Sequence, residues 1–224
     1  MTVGVVVVIP GGVVAVADGR TSMVFQEEIV SDTTRKIIQG PGGTTMIAFG
    51  VTHVTAAALI RIFVGPSPRS GHAAVALARS CLQSAWLDFS IRLAPEIDRT
   101  NSALRAALVI AGIDETGPYI GAAMVSFDSP LSVGPSYGDY NNVVLGAEQH
   151  GSSEMFIREL NQARSLITSA DTSSVIAHKI AEAAANTIQT MARLDRTVGG
   201  QIHYRIQLID KTVIEANHGT RADA

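Results

Sequence analysis

Residues 1–20 read MTVGVVVVIPGGVVAVADGR, and the first ten contain no charged side chain. Three readings compete for this stretch: a secretory leader, a buried strand, or a strand whose tip carries chemistry. Ala15-Val16-Ala17 mimics a signal-peptidase site, but no Lys or Arg precedes Arg20 and Pro10-Gly11-Gly12 splits the apolar run. A leader needs a basic start and an uninterrupted apolar segment. Two valine-rich runs joined by Pro and Gly instead predict a β-hairpin. Where its first strand begins, Thr2 stands directly behind Met1.

The rest of the composition supports a packed protein. In 224 residues, 46% hydrophobic and 17% charged content is that of a globular chain able to bury a core. A net charge of −3, with no basic block, argues against a nucleic-acid partner, which needs clustered Lys and Arg. No apolar run reaches the roughly 18 residues of a membrane span, so no membrane partner is expected. The single cysteine, Cys81, excludes an intrachain disulfide and a thiolate metal cluster, and suits a reducing cytoplasm.

Periodicity predicts strands over Thr2–Ile9, Val13–Ala17, Lys36–Gln39 and Thr44–Phe49, then helices over Thr52–Phe63 and Gly71–Leu93. The second helix places Val75, Ala78, Leu82, Trp86 and Phe89 on one stripe. Strands return at Ala107–Ile113, Tyr119–Phe127 and Val143–Leu145, with Asp114 to Gly117 as a hairpin turn. Helices follow over Ser153–Ile167 and Ser173–Arg193, the latter with Ile176, Ile180, Ala184, Ile188 and Met191 on one face. A strand over Gln201–Ile209 and a short final run close the chain. One domain is expected over residues 2–215, with 216–224 a polar tail. Grouped strands and grouped helices indicate an α+β class, with two sheets face to face and a helix pair on each outer side.

Several motifs have a plainer reading. Gly134-Pro135-Ser136-Tyr137-Gly138 spells G-x-S-x-G, but a nucleophile elbow needs a strand, a sharp turn and a helix, and here a strand follows. His178 and Glu182 lack the second histidine of a zinc helix, and the other histidines have no ligand spacing, so no metal or other cofactor is expected. Gly40-Pro41-Gly42-Gly43 is a turn, with no Gly-Lys-Thr/Ser behind it. Cys81 reads as a small core residue.

The N-terminal constellation is left. With Met1 removed, Thr2 carries a hydroxyl and a free α-amine, whose reference pKa of roughly 7.7–8.0 makes it a base near neutrality. A nearby lysine would favour the alkoxide, and a carboxylate would hold that lysine. Asp18, ending the second strand, and Lys36, starting the next apolar run, are the candidates, although such residues at strand ends are commonly solvated.

The order of these segments resembles a proteasome-type β subunit. The matching stretches are Thr2-Val3-Gly4, then Gly12 to Thr21, then Ser31-Asp32-Thr33-Thr34-Arg35-Lys36-Ile37, then Met46-Ile47-Ala48-Phe49-Gly50. Leu145 to Ser153 sits where the family has a Gly/Ser turn before a helix, and Leu194 to Gly200 where its last long helix ends. Asp18-Gly19-Arg20-Thr21, Thr34-Arg35-Lys36 and Gly146-Ala147-Glu148 are most similar to the bacterial homologues known as Anbu. The resemblance covers roughly residues 2–210.

It implies the four-layer αββα sandwich of N-terminal-nucleophile hydrolases and a threonine-type peptidase or amide hydrolase. Thr2 would be the nucleophile, Lys36 would ease its deprotonation and Asp18 would orient Lys36. The Gly50 amide would be the oxyanion donor, Asp195 would support the α-amine, and Ser152 or Ser153 would supply the turn serine, unless Glu148 has displaced it. Thr21, Thr34 and Phe49 would line the groove for a peptide or protein substrate. A cytoplasmic homo-oligomer, ring or open ring, is implied, and an ATPase partner is left open.

The chain departs from the family pattern in three places. It has one leading threonine rather than two or three, and the segment from Asp18 to Lys36 is about two residues longer. Val198 replaces a serine often found beside the catalytic amine, with Thr197 as a stand-in. Two rivals therefore stand beside the peptidase: a catalytically silent subunit of the same fold, and an amidase or transpeptidase on a specific small substrate.

Overall fold

The computed structural model describes residues 3–22, 29–92, 104–127, 131–146 and 151–219. The opening hairpin forms as its sequence predicts, from β1 (Gly4–Ile9) and β2 (Gly12–Ala17), with Pro10-Gly11 as the turn. Every residue of both strands is buried. That explains the unbroken valines: a strand covered on both faces has no solvent side to mark with polar residues.

The two faces of β1 enter different cores. Val3, Val5, Val7 and Ile9 pack with α3 (Ser152–Ser165) and α4 (Ser173–Leu194), through Phe156, Leu160, Ile180 and Ile188. Val6 and Val8 pack the other way, against Ile37, Ile47, Val109 and Ile120 of a second sheet. A third core lies beyond that sheet. It joins Met46, Leu108 and Ile110 to Val54, Ala58 and Ile62 of α1 (Thr52–Val64) and to Ala78, Leu82 and Trp86 of α2 (Gly71–Arg92). Three apolar cores separate four layers, so the fold is the expected α+β αββα sandwich. Cys81 is one of the buried residues of the third core.

Each central sheet is five-stranded and antiparallel. The first has the order β10-β1-β2-β11-β12, adding β10 (Asn142–Leu145), β11 (Gln201–Leu208) and β12 (Val213–Gly219). The second has the order β5-β6-β7-β8-β9, from β5 (Ile37–Gln39), β6 (Thr45–Gly50), β7 (Arg105–Asp114), β8 (Gly117–Ser126) and β9 (Leu131–Ser136). A two-stranded ribbon, β3 (Thr21–Ser22) with β4 (Ile29–Ser31), lies between β2 and β5 in the chain. The Gly71 amide, opening α2, donates to Asp114 Oδ2 at 2.7 Å and ties this helix to the β7–β8 hairpin.

The β3–β4 ribbon has no counterpart among the expected strands, and two further elements differ from the sequence expectation. Residues 131–136, read as loop, form β9, an edge strand with Leu131 and Val133 exposed. An edge tolerates Pro135, which has no amide hydrogen to give a neighbour. The closing strand also reaches Gly219, into the stretch read as a polar tail at 216–224, because it pairs continuously with β11 from Gln201 to Gln207.

Candidate active site

One end of the sandwich gathers the sequence-predicted residues. Gly4 pairs with both Ala17 and Leu145, so the start of β1, the end of β2 and the end of β10 lie together. In the other sheet, Ile37 pairs with Ile47, which puts Lys36 at the same end as Gly50. An ion pair joins these two ends: Lys36 Nζ lies 2.7 Å from Asp18 Oδ1.

Strand geometry places the pair where water is nearly absent. The side chains are 6% exposed for Lys36 and 0% for Asp18. The same Asp18 Oδ1 accepts the Val3 amide at 2.8 Å, and Asp18 Oδ2 accepts the Gly199 amide at 3.4 Å. Val3 is doubly clamped, because its carbonyl accepts the Asp18 amide at 2.9 Å. One carboxylate oxygen thus fixes the Lys36 ammonium relative to the Val3 amide. Lys36 Nζ also donates to the Arg20 carbonyl at 2.5 Å. Burial dominates the titration of both groups. It holds Asp18 above the usual carboxylate range against the pull of Lys36 and its hydrogen bonds, and holds Lys36 below the usual lysine range against the pull of Asp18. A lysine so depressed gives up its proton more readily than a solvated one.

A second set of contacts, centred on Arg20, binds the neighbouring loops. Arg20 Nε donates to Asp32 Oδ1 at 2.5 Å, and one terminal nitrogen donates to the carbonyls of Arg196 at 2.6 Å and Val198 at 3.2 Å. The Gly19 and Arg20 amides both donate to the Gly199 carbonyl. Gly200, at φ +71°, lies so close to the 32 segment that a Cβ would meet the Asp32 carbonyl at 2.4 Å. Only glycine allows both that dihedral and that approach. Sequence reasoning missed this lock, although Asp18-Gly19-Arg20 and the Gly199-Gly200 pair were its visible signals.

The other predicted residues have these places. Gly50 ends β6 at φ +89°, where a Cβ would meet the Arg105 carbonyl at 1.9 Å. Asp195 caps α4, and its Oδ1 accepts the Thr197 amide at 2.8 Å and hydroxyl at 2.6 Å. Val198 is fully buried among the apolar residues of the first core. Thr21 and Thr34 meet through a 2.9 Å hydroxyl contact, and the Arg105 guanidinium lies 5.3 Å from the centre of the half-buried Phe49 ring. Ser152 opens α3, behind Gly151; its side chain, like Thr2 and Glu148, lies outside the described residues. Ser136 takes no part at this end: its Oγ accepts Asn141 Nδ2 at 2.6 Å at the far end of β9.

No protein-family model and no curated protein matches the chain. Among solved structures, the chain is similar to an Anbu (Gly-1) mutant from Hyphomicrobium sp. strain MC1. The TM-score is 0.67 at 15% identity, covering 100% of this chain and 90% of that one. The likeness is one of fold, and it is the fold that the N-terminal segments led us to expect. No helix among the described residues is long and apolar enough to cross a membrane.

Proposed function

We propose that the chain is a threonine-type N-terminal-nucleophile amide hydrolase acting on peptides or proteins after removal of Met1. The observation that carries this reading is the shared Asp18 oxygen, which binds both a desolvated Lys36 and the Val3 amide.

Thr2 Oγ attacks the substrate carbonyl carbon and passes its proton to the α-amine, with Lys36 stabilising the developing alkoxide. The oxyanion takes a hydrogen bond from the Gly50 amide, a contact of a kind worth about 3–4 kcal/mol. The C–N bond breaks, the α-ammonium returns its proton to the leaving amine, and an acyl ester forms on Thr2. Water then attacks this ester, its proton passing through the α-amine, and the acid leaves. Asp195 and Ser152 orient the amine side, while Thr21, Thr34 and Phe49 border the substrate.

Assembly as a cytoplasmic homo-oligomer fits the outer helices. Ile60, Phe63 and Val64 of α1 and Leu87 and Ile91 of α2 are exposed, and these side chains are available for burial against a neighbouring copy.

Intact-mass spectrometry combined with a threonine-directed epoxyketone tests the reading. The expected result is a chain lacking Met1 and a covalent adduct on Thr2. Retained Met1, or peptide hydrolysis that survives Thr2→Ala, would remove Thr2 as nucleophile. A processed chain that neither labels nor hydrolyses is a silent subunit of the same fold, and hydrolysis confined to small amides is the activity of a specific amidase.

A further inference from the structure

On the inter-sheet side, β11 carries a polar row. Ile202 and Ile206 face the helices, so His203 and Arg205 face the opposite sheet. Each stands directly opposite a polar residue of β12: His203 pairs with Asn217 and Arg205 with Glu215. Beside them lies a cavity of about 240 Å³ bordered by Arg35, His203, Arg205, Glu215 and Asn217. A water occupies about 30 Å³ in the liquid, so this space has room for a polyatomic ion.

The hydrogen bonds around the cavity leave an excess of donors. Glu215 is the one carboxylate among these five residues, and both of its oxygens are engaged, Oε1 by Arg205 Nη1 and Oε2 by Arg35 Nη2 at 2.6 Å. Two guanidiniums against one carboxylate leave a positive charge. Arg205 is only 3% exposed, and its Nε donates to Thr45 Oγ1 at 3.0 Å, which fixes the plane of the group. His203 Nδ1 meets Asn217 Oδ1 at 2.7 Å, so the amide oxygen is occupied and Nδ2 is left as a donor. Arg205 Nη2, Arg35 Nη1 and Asn217 Nδ2 then make no hydrogen bond within the described residues. His203 Nε2 is buried with no hydrogen-bond partner among the described residues, while its Nδ1 orients Asn217.

We propose that this cavity binds a small oxyanion, phosphate or carboxylate, held by Arg35, Arg205 and Asn217. Donors on three separate segments suit an ion with several acceptor oxygens, and guanidiniums match such oxygens well. A cation would find only a carboxylate already paired twice. The assignment stands independently of the role given to Thr2.

Isothermal titration of the full chain with sodium phosphate, and separately with sodium acetate, in chloride buffer of matched ionic strength tests it. Saturable one-site binding of at least one anion is expected, and the tighter one names the source. Asn217→Asp keeps the acceptor for His203 but replaces a donor with a negative charge, and should weaken binding by about tenfold or more. Arg35→Gln, at an exposed position, should weaken it severalfold. Binding no stronger than in chloride, or unchanged in Asn217→Asp with native circular dichroism, overturns the site.

Discussion

Lys36 and Asp18 flank strands of different sheets, yet their charged atoms are 2.7 Å apart and both side chains are almost free of water. The interior offers no solvent to either charge, so each depends on the other. Lys36→Met should therefore cost about 3–5 kcal/mol in urea unfolding, the usual result of stranding a buried charge. The double variant Lys36→Met with Asp18→Asn removes both charges while leaving an acceptor for Val3. It should regain most of that stability and still hydrolyse no peptide. A double variant as unstable as the single one would show that charge is not what the pair contributes.

Arg20 holds three partners that no lysine could reach with the same planar group: Asp32 and the carbonyls of Arg196 and Val198. Arg20→Lys should lower kcat by about tenfold to a hundredfold, the scale set by small misplacements at a reacting centre. KM should change little, and the pH profile of kcat should move, because the Arg20 carbonyl that receives Lys36 shifts with the loop. A purely structural role would lower the melting temperature and leave that profile in place.

At Gly50, the positive φ and the Arg105 carbonyl both oppose a side chain. Gly50→Ala should destabilise the fold by about 1–3 kcal/mol through backbone strain. It should also slow hydrolysis by about two to three orders of magnitude, as loss of an oxyanion donor does. Stability and activity curves of the purified variant separate the two effects. Full activity would take the Gly50 amide out of the mechanism.

Acid should loosen two polar anchors. For Asp114, burial pushes the carboxyl up, but the Gly71 amide, the Tyr137 hydroxyl and the Thr116 amide outweigh it and hold the group below its ordinary 3.8. Glu215 is likewise pushed up by burial and drawn below its ordinary 4.5 by Arg205 and Arg35. Both groups bind protons less readily folded than unfolded, so their stabilisation is present above those ordinary values and is lost as pH falls through the lower, folded ones. Melting temperature should decline from about pH 4.5 downward, and Asp114→Asn should flatten part of that decline. An unchanged acid limb in Asp114→Asn would remove the helix anchor from this account.

Residues whose partners are near in sequence, or whose pattern repeats, were legible without a structure. Pro10-Gly11 announced the hairpin, and the stripe from Ile176 to Met191 announced the buried face of α4. Strand β9 was hidden because Gly134 and Pro135 punctuate it, and only its position at a sheet edge makes them acceptable there. At the site, Asp18 and Lys36 could be named from their strand ends. Their meeting across two sheets, and the Arg20 lock onto residues 176 and 178 places further along the chain, depend on tertiary contacts that no local pattern encodes.

The position of β1 inside its sheet has a consequence for synthesis. Its neighbours are β2, made at once, and β10, made well over a hundred residues later; Asp18 also waits for Gly199. Contacts so distant in sequence form slowly and late. A ribosome-bound chain therefore carries its first residues for most of translation without the loops that would arm them. On the proposed mechanism, the nascent protein is harmless to itself and its neighbours until nearly the whole chain has emerged.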